Sequence, residues 1–152
     1  MNGDKLEVFE VKEFNTEYVS DINRLLRQLS SAAYVVTEEK FRSIIVARNT
    51  HLFLLTVDGR VAGMCTLAVY SVLTGMKAWI EDVVVDEAFR GQHLGKRLVE
   101  YAVDFARKMG ECSIMLTSRP SRGVANNLYK SVGFVQRDTN VYRMKILDEK
   151  NC

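Results

Sequence analysis

The heptapeptide Arg90-Gly-Gln-His-Leu-Gly-Lys96 places two glycines and several cationic side chains between an apolar run ending in Val83-Val84-Val85 and a long amphipathic stretch. A glycine turn that opens a helix aims backbone N–H groups at one spot, where the helix macrodipole favours negative charge. Arg90, Lys96 and Arg97 add to that potential, so the turn suits a phosphate or pyrophosphate. Two familiar phosphate turns fail on the residues that carry their mechanism. A Walker-type loop needs four residues between its glycines and a Ser or Thr after the lysine. Here three residues separate Gly91 from Gly95, and Arg97 follows Lys96. A Rossmann turn needs G-x-G-x-x-G and an acid ending the next strand. His93 stands at the central position, and the candidate acid Glu111 precedes its strand.

Nucleophilic and metal chemistry have few residues to work with. Cys65, Cys112 and Cys152 are odd in number and far apart, as expected of reduced thiols. His51 and His93 are the only histidines, which leaves a Cys-His nucleophile a poor candidate. No Cys-x-x-Cys or His-x-x-x-His pair is present, so no metal is expected.

The elements that would hold the turn follow from periodicity. Leu6 to Val11 alternates as a strand, and Glu17 to Leu29 carries Val19, Ile22, Leu25, Leu26 and Leu29 at helical spacing. Thr37 reads as the N-cap of a second helix with Phe41, Ile44 and Ile45 on one face. Leu52 to Val57 and Arg60 to Tyr70 are strands joined by Asp58-Gly59, the signal of a type I′ hairpin. Lys77 to Val85 resumes as a strand whose triple valine suits burial on both faces. Gly95 to Met109 is a helix stopped by Gly110, and Ser113 to Thr117 is the next strand. That order makes a crossover, with parallel strands and a right-handed connection. A short helix, Val124 to Ser131, ends at Gly133, and Val141 to Ile146 reads as a final strand.

The whole is expected to be one α+β domain spanning residues 1–152, with 47% apolar and 26% charged residues. A formal net charge of +2 gives no reason to expect nucleic acid or an anionic membrane as partner. The longest apolar stretch, Val61 to Leu73, is too short to span a bilayer. The polar start, Met-Asn-Gly-Asp-Lys-Leu-Glu, does not resemble a signal peptide, so a cytoplasmic location is expected.

Arg90-Gly91-Gln92-His93-Leu94-Gly95 resembles the acetyl-CoA turn of the GNAT N-acetyltransferases, Arg/Gln-x-x-Gly-x-Gly/Ala, with His93 in place of the first glycine. The likeness continues through Val124-Ala-Asn-Asn-Leu-Tyr-Lys-Ser-Val-Gly-Phe134, similar to that family's A-x-x-L/F-Y-x-x-x-G-F segment. Ile80-Glu-Asp-Val-Val-Val-Asp86 with the following turn resembles glucosamine-6-phosphate N-acetyltransferases, and its Glu-Asp pair is similar to that of diamine acetyltransferases. The resemblance implies the GNAT fold, a mixed, mostly antiparallel sheet flanked by helices. It also implies acetyl-CoA as cosubstrate and a small primary amine as acceptor, and it leaves room for a homodimer. The alternatives are acetylation of a protein lysine or N-terminal amine, or a non-catalytic acyl-CoA-binding module.

Acetyl transfer needs a base, a donor to the developing oxyanion and an acid for the thiolate. An aliphatic ammonium has a pKa of about 10.4, so a base must take its proton at neutral pH. Glu81, just before the triple valine, matches the position of a proposed base in diamine acetyltransferases, and strand alternation would send Asp82 to the opposite face. Tyr129 corresponds to the family's usual acid. Its phenol, with a pKa of about 10, can reprotonate a thiolate whose thiol lies nearer about 8.5. A backbone N–H within Val83, Val84 and Val85 is the expected oxyanion donor. The resemblance implies that pantetheine enters beside this strand, pairing with Val83 and Val85, that the turn through Lys96 holds the pyrophosphate, and that Arg122 and Asn126 lie near the cofactor. The acceptor is expected among Arg24, Arg27, Tyr34 and Arg42, the Tyr70 to Gly75 loop, and Asn140 and Tyr142, with arginines there as sugar-phosphate ligands or a solvated face.

Overall fold

Asp58 and Gly59 both hold left-handed backbone, φ 49° and 79°, as a type I′ turn requires. They join strands β2 (Thr50–Val57) and β3 (Arg60–Val72). Thr37 caps α2 (Glu38–Val46) by accepting from the Lys40 N–H at 3.1 Å. Asn15 caps α1 (Thr16–Leu29) in the same way through Glu17.

The computed structural model describes residues 3–32 and 34–148; Cys152 lies outside them. β1 (Leu6–Glu10), β2, β3, β4 (Gly75–Val85) and β5 (Cys112–Met115) form one sheet in that order. The first four are antiparallel neighbours, and β5 joins β4 in parallel after the crossover helix α3 (Leu94–Met109). The last helix is α4 (Gly123–Val132). Gly110 and Gly133 end the two late helices at φ 125° and 115°, backbone that favours glycine. The architecture is α+β, a mixed and mostly antiparallel sheet flanked by helices.

Period-two alternation splits the apolar residues of β2 between two layers. Phe53, Leu55 and Val57 face α3 and α4 with Leu94, Leu98, Val99 and Ala102, whereas Leu52 and Leu54 face α1 and α2 with Leu25 and Phe41.

Two expectations need correction. The triple valine is not buried on both faces: Val84 is buried, while Val83 and Val85 are half-buried, because β5 has already parted from β4 at that level. Val141 to Ile146 forms no strand. Among the described residues its backbone pairs with no neighbour, and Val141, Tyr142, Met144 and Ile146 are 71 to 91% exposed. The alternation is present in the sequence, but no sheet edge among the described residues receives it.

Candidate active site

The site lies where the sheet opens. β4 pairs with β5 from Met76↔Cys112 to Trp79↔Met115 and no further, whereas its pairing with β3 continues to Val85. A bulge accompanies the opening. The β3 register shifts between Met64 and Thr66, opposite Asp82, whose φ is 53°.

Peptide geometry fixes which way the freed backbone points. The Asp86 N–H donates to the Ala62 carbonyl of β3 at 2.8 Å. In that trans peptide the Val85 carbonyl points the other way, into the opening. Val83, two residues earlier, shares the orientation. The Val85 carbonyl accepts from Arg90 Nε at 3.2 Å, which draws the start of the turn against the strand.

The opening widens into a cavity of about 1470 Å³, bounded by Val83–Val85, the first residues of α3, residues 117–119 and 121 after β5, α4, and the C-terminal end of α1. Arg90, Lys96, Arg119 and Arg122 line it, and among the described residues no carboxylate does. The N–H groups of Leu94, Gly95 and Lys96, at the start of α3, have no acceptor one turn back within the helix. Cations and free amides together suit a multiply charged anion. The Ser118 hydroxyl, also lining the cavity, is buried with no hydrogen-bond partner among the described residues, an unmet demand that a polar ligand would satisfy.

His93, at the N-cap of α3, has φ 58° and ψ 23°. Glycine adopts this left-handed backbone freely, and any other residue pays about 1–2 kcal/mol. The turn therefore keeps the glycine geometry without the glycine. Gly95 serves closeness of approach instead: a Cβ there would stand 3.0 Å from Leu128 Cδ1.

Tyr129 is 8% exposed, lines the cavity and meets the Phe134 ring edge-on at 6.2 Å. Burial raises its pKa, the Arg122 cation acts the other way, and Cys65 adds a smaller rise. Glu81 sits opposite Thr66, solvent-exposed and outside the residues lining the cavity. Its carboxyl is raised above the ordinary value by partial desolvation and then by the Asp82 charge. Asp82 is raised too, by desolvation. Both reach solvent but stand against enough protein to disfavour their charge. The bulge voids simple alternation at Asp82, and the two carboxylates sense one another.

Residues 16–134 match the model of the acetyltransferase (GNAT) family. The chain belongs to that family. It is 32% identical over 137 residues to glucosamine 6-phosphate N-acetyltransferase 1 of Oryza sativa subsp. japonica, covering 81% of each chain. The crystal structure of glucosamine-6-phosphate N-acetyltransferase from Arabidopsis thaliana superposes with a TM-score of 0.75 at 25% identity, over 95% of this chain and 99% of that one. An aminoglycoside acetyltransferase from an uncultured soil metagenomic sample gives a TM-score of 0.83 at 18% identity, over 94% and 97%. The protein is thus an acetyl-CoA-dependent N-acetyltransferase.

Within this GNAT enzyme, Val83, Val84, Val85, Arg90, Gly91, His93, Leu94, Gly95, Lys96, Arg122 and Tyr129 all line the cavity. Gln92 and Asn126 do not. Asn126 Nδ2 donates to the Arg119 carbonyl at 3.0 Å and closes the loop before α4, while its neighbour Asn127 faces the cavity. Neither proposed use of Arg24 holds. It pairs with buried Asp86 and with Asp21 and donates to the Val61 carbonyl at 2.8 Å, which pins α1 to the end of β4. Arg42 lies over the Phe14 ring at 3.5 Å. Tyr70 accepts from Trp79 Nε1 at 3.0 Å. Arg27, Tyr34, Asn140 and Tyr142 are exposed.

Cys65 is buried and its thiol is pushed up to about 12 by desolvation, so it stays protonated and is no nucleophile. His51 pairs with Glu10 at 2.9 Å and packs on Phe105, away from the cavity. Among the described residues no cluster of three or more His, Cys, Asp or Glu is placed to hold a metal, and no helix is long and apolar enough to cross a membrane. Ser118, Arg119 and the Gln28–Leu29 wall were not legible in the sequence. The single available signal was the position of Ser118 and Arg119 just past a strand end in a crossover fold.

Proposed function

We propose that this acetyltransferase acts on the primary amine of a small molecule, by direct attack, with Glu81 as base and Tyr129 as acid. The observation that carries the reading is the cavity at the opened strand, whose wall, among the described residues, has four cations, no carboxylate and Tyr129. Its volume exceeds the roughly 300–1,000 Å³ of ordinary ligand pockets, enough for a nucleotide-bearing thioester and a small acceptor together. The names of the relatives, which include sugar-phosphate and aminoglycoside acetyltransferases, support a small amine as the class.

Acetyl-CoA supplies the activated acetyl thioester. Arg90, Lys96 and the first amides of α3 would hold its phosphates, and Val83 with the Val85 N–H would take the pantetheine amides. A backbone N–H in Val83–Val85 donates to the charge that develops on the carbonyl oxygen. Glu81, with its raised carboxyl, accepts the ammonium proton, through water given its place outside the cavity wall. Tyr129, kept protonated by burial, gives a proton to the departing thiolate. Arg122 near the phenol limits how far that pKa rises.

Thiol release is to be followed with D-glucosamine 6-phosphate, an aminoglycoside, a diamine and a lysine-containing peptide as acceptors. A small amine should be turned over best. Glu81→Gln and Tyr129→Phe should each reduce kcat by about 10²–10⁴ while leaving acetyl-CoA binding in place. Preference for the peptide, or no effect of either variant, would overturn the reading.

A further inference from the structure

Of the hydroxyls that line the large cavity, only that of Ser118 is buried without a hydrogen-bond partner among the described residues. The backbone just beyond it is fixed. The Arg119 carbonyl accepts from the Arg122 N–H and from Asn126 Nδ2, each at 3.0 Å, which closes the chain into a turn before α4. A buried hydroxyl left unpaired costs stability. That cost is explained if the hydroxyl serves a bound molecule.

Its place along the opening follows from register. The parallel pairing of β4 and β5 ends at Trp79↔Met115, and the same register carried onward sets Ser118 level with Asp82. Its side follows from alternation. Cys112, Ile114 and Leu116 pack into the layer that holds α3 and Tyr129, and Ser118 is next at that spacing. The hydroxyl and the Tyr129 phenol therefore border the same side of the cavity. A pantetheine arm whose amides pair with Val85 and then Val83 extends one step further toward the closed end of the opening. That step brings its sulfur to the level of Asp82 and Ser118.

We propose that Ser118 is a further catalytic residue of the acetyl transfer, donating a hydrogen bond to the thioester sulfur as the C–S bond breaks. The inference rests on the acetyl-transfer reading and adds a residue to it. The amine nitrogen bonds to the acetyl carbon, and its proton leaves through water to Glu81. The C–S bond breaks, its electron pair goes to sulfur, and the Tyr129 proton follows onto sulfur. Ser118 keeps its own proton throughout, acting as a donor only. Its hydrogen bond is already in place when negative charge develops on the sulfur, so it stabilises that charge without reorganisation.

Ser118→Ala gives three readouts. With D-glucosamine 6-phosphate, or whichever acceptor named above is turned over best, kcat should fall about ten- to hundredfold, as expected for one hydrogen bond to a charged acceptor. The Kd for acetyl-CoA should change little. The thiol of CoA bound to the protein, titrated by its ultraviolet thiolate absorbance, should have a higher pKa in the variant than in the native complex. The Tm of the ligand-free variant should equal or exceed that of the native protein, because a buried unpaired hydroxyl has been removed. An unchanged kcat with an unchanged bound-thiol pKa would overturn the proposal. So would a fall in Tm accompanied by loss of acetyl-CoA binding, the pattern of a purely structural serine. Tyr129→Phe, assayed alongside, separates this proposal from the reading beneath it. A slow Tyr129→Phe beside a native-like Ser118→Ala removes Ser118 and leaves the acetyl-transfer reading standing, whereas native-like rates in both remove the two together.

Discussion

The two halves of β4 have similar sequence character and opposite roles. Met76 to Trp79 has a neighbour on each side, and Ala78 and, just beyond, Ile80 are buried in the core. Val83 to Val85 keeps β3 but has lost β5, and all three of its valines border the cavity. The first half spends its backbone on the sheet, and the second has backbone left to offer a ligand. Apolar composition alone does not separate a core strand from a binding edge; the length of the neighbouring strand does. β5 is only four residues long, and the site begins where it stops.

The largest contrast should come from substitutions on either side of that boundary. Ile80→Ala should lower stability by about 2–5 kcal/mol, with a matching fall in Tm and little change in acetyl-CoA affinity once folded. Val83→Ala should cost about 1 kcal/mol or less and instead weaken acetyl-CoA binding. Chemical denaturation and titration calorimetry on both variants measure the split. Equal stability losses with equal affinities would erase the distinction between the halves.

A smaller effect tests the carboxylates at the boundary itself. The Asp82 charge contributes to holding the Glu81 carboxyl above its usual value. In Asp82→Asn the Glu81 pKa should fall, so the acidic limb of the kcat–pH profile should move to lower pH. The sign for stability is also fixed. Asp82 has a raised pKa in the folded chain, so the folded state disfavours its charged form. The stability of the native chain relative to Asp82→Asn should therefore fall as pH rises from the unfolded carboxyl pKa, about 3.9, through the raised folded value. An acidic limb that stays in place would mean that Glu81 is not the base or does not sense Asp82.

Most of the local structure was legible because local chemistry determines it. Asp58-Gly59 has one favoured turn, Thr37 has one favoured helix position, and Gly110 and Gly133 stop helices by occupying positive φ. The cation-bearing turn was legible for the same reason, and the structure adds why His93 is tolerated there: its backbone takes the left-handed conformation at a modest cost. Long-range features were hidden. Nothing local to Asp82 announces a bulge, since the bulge depends on register with Met64 and Thr66 across the sheet. Arg24 read as a ligand-binding or solvated arginine because its partner, Asp86, lies 62 positions away in sequence. Asn126 and Asn127 are adjacent in sequence, and only the course of the 119–120 loop decides which of them faces the cavity. Val141 to Ile146 shows the limit from the other side, since a strand pattern states a need for a neighbour without saying whether the fold supplies one.

Amide hydrogen exchange at Val83 and Val85, with and without CoA, is the measurement to make first. If the freed edge of β4 receives the pantetheine amides, CoA should slow exchange at these two positions and at Leu94 to Lys96, and leave Cys112 to Met115 little changed. Unaltered exchange at Val83 and Val85 in a CoA-saturated sample would contradict the assignment of the opened strand as the cofactor site.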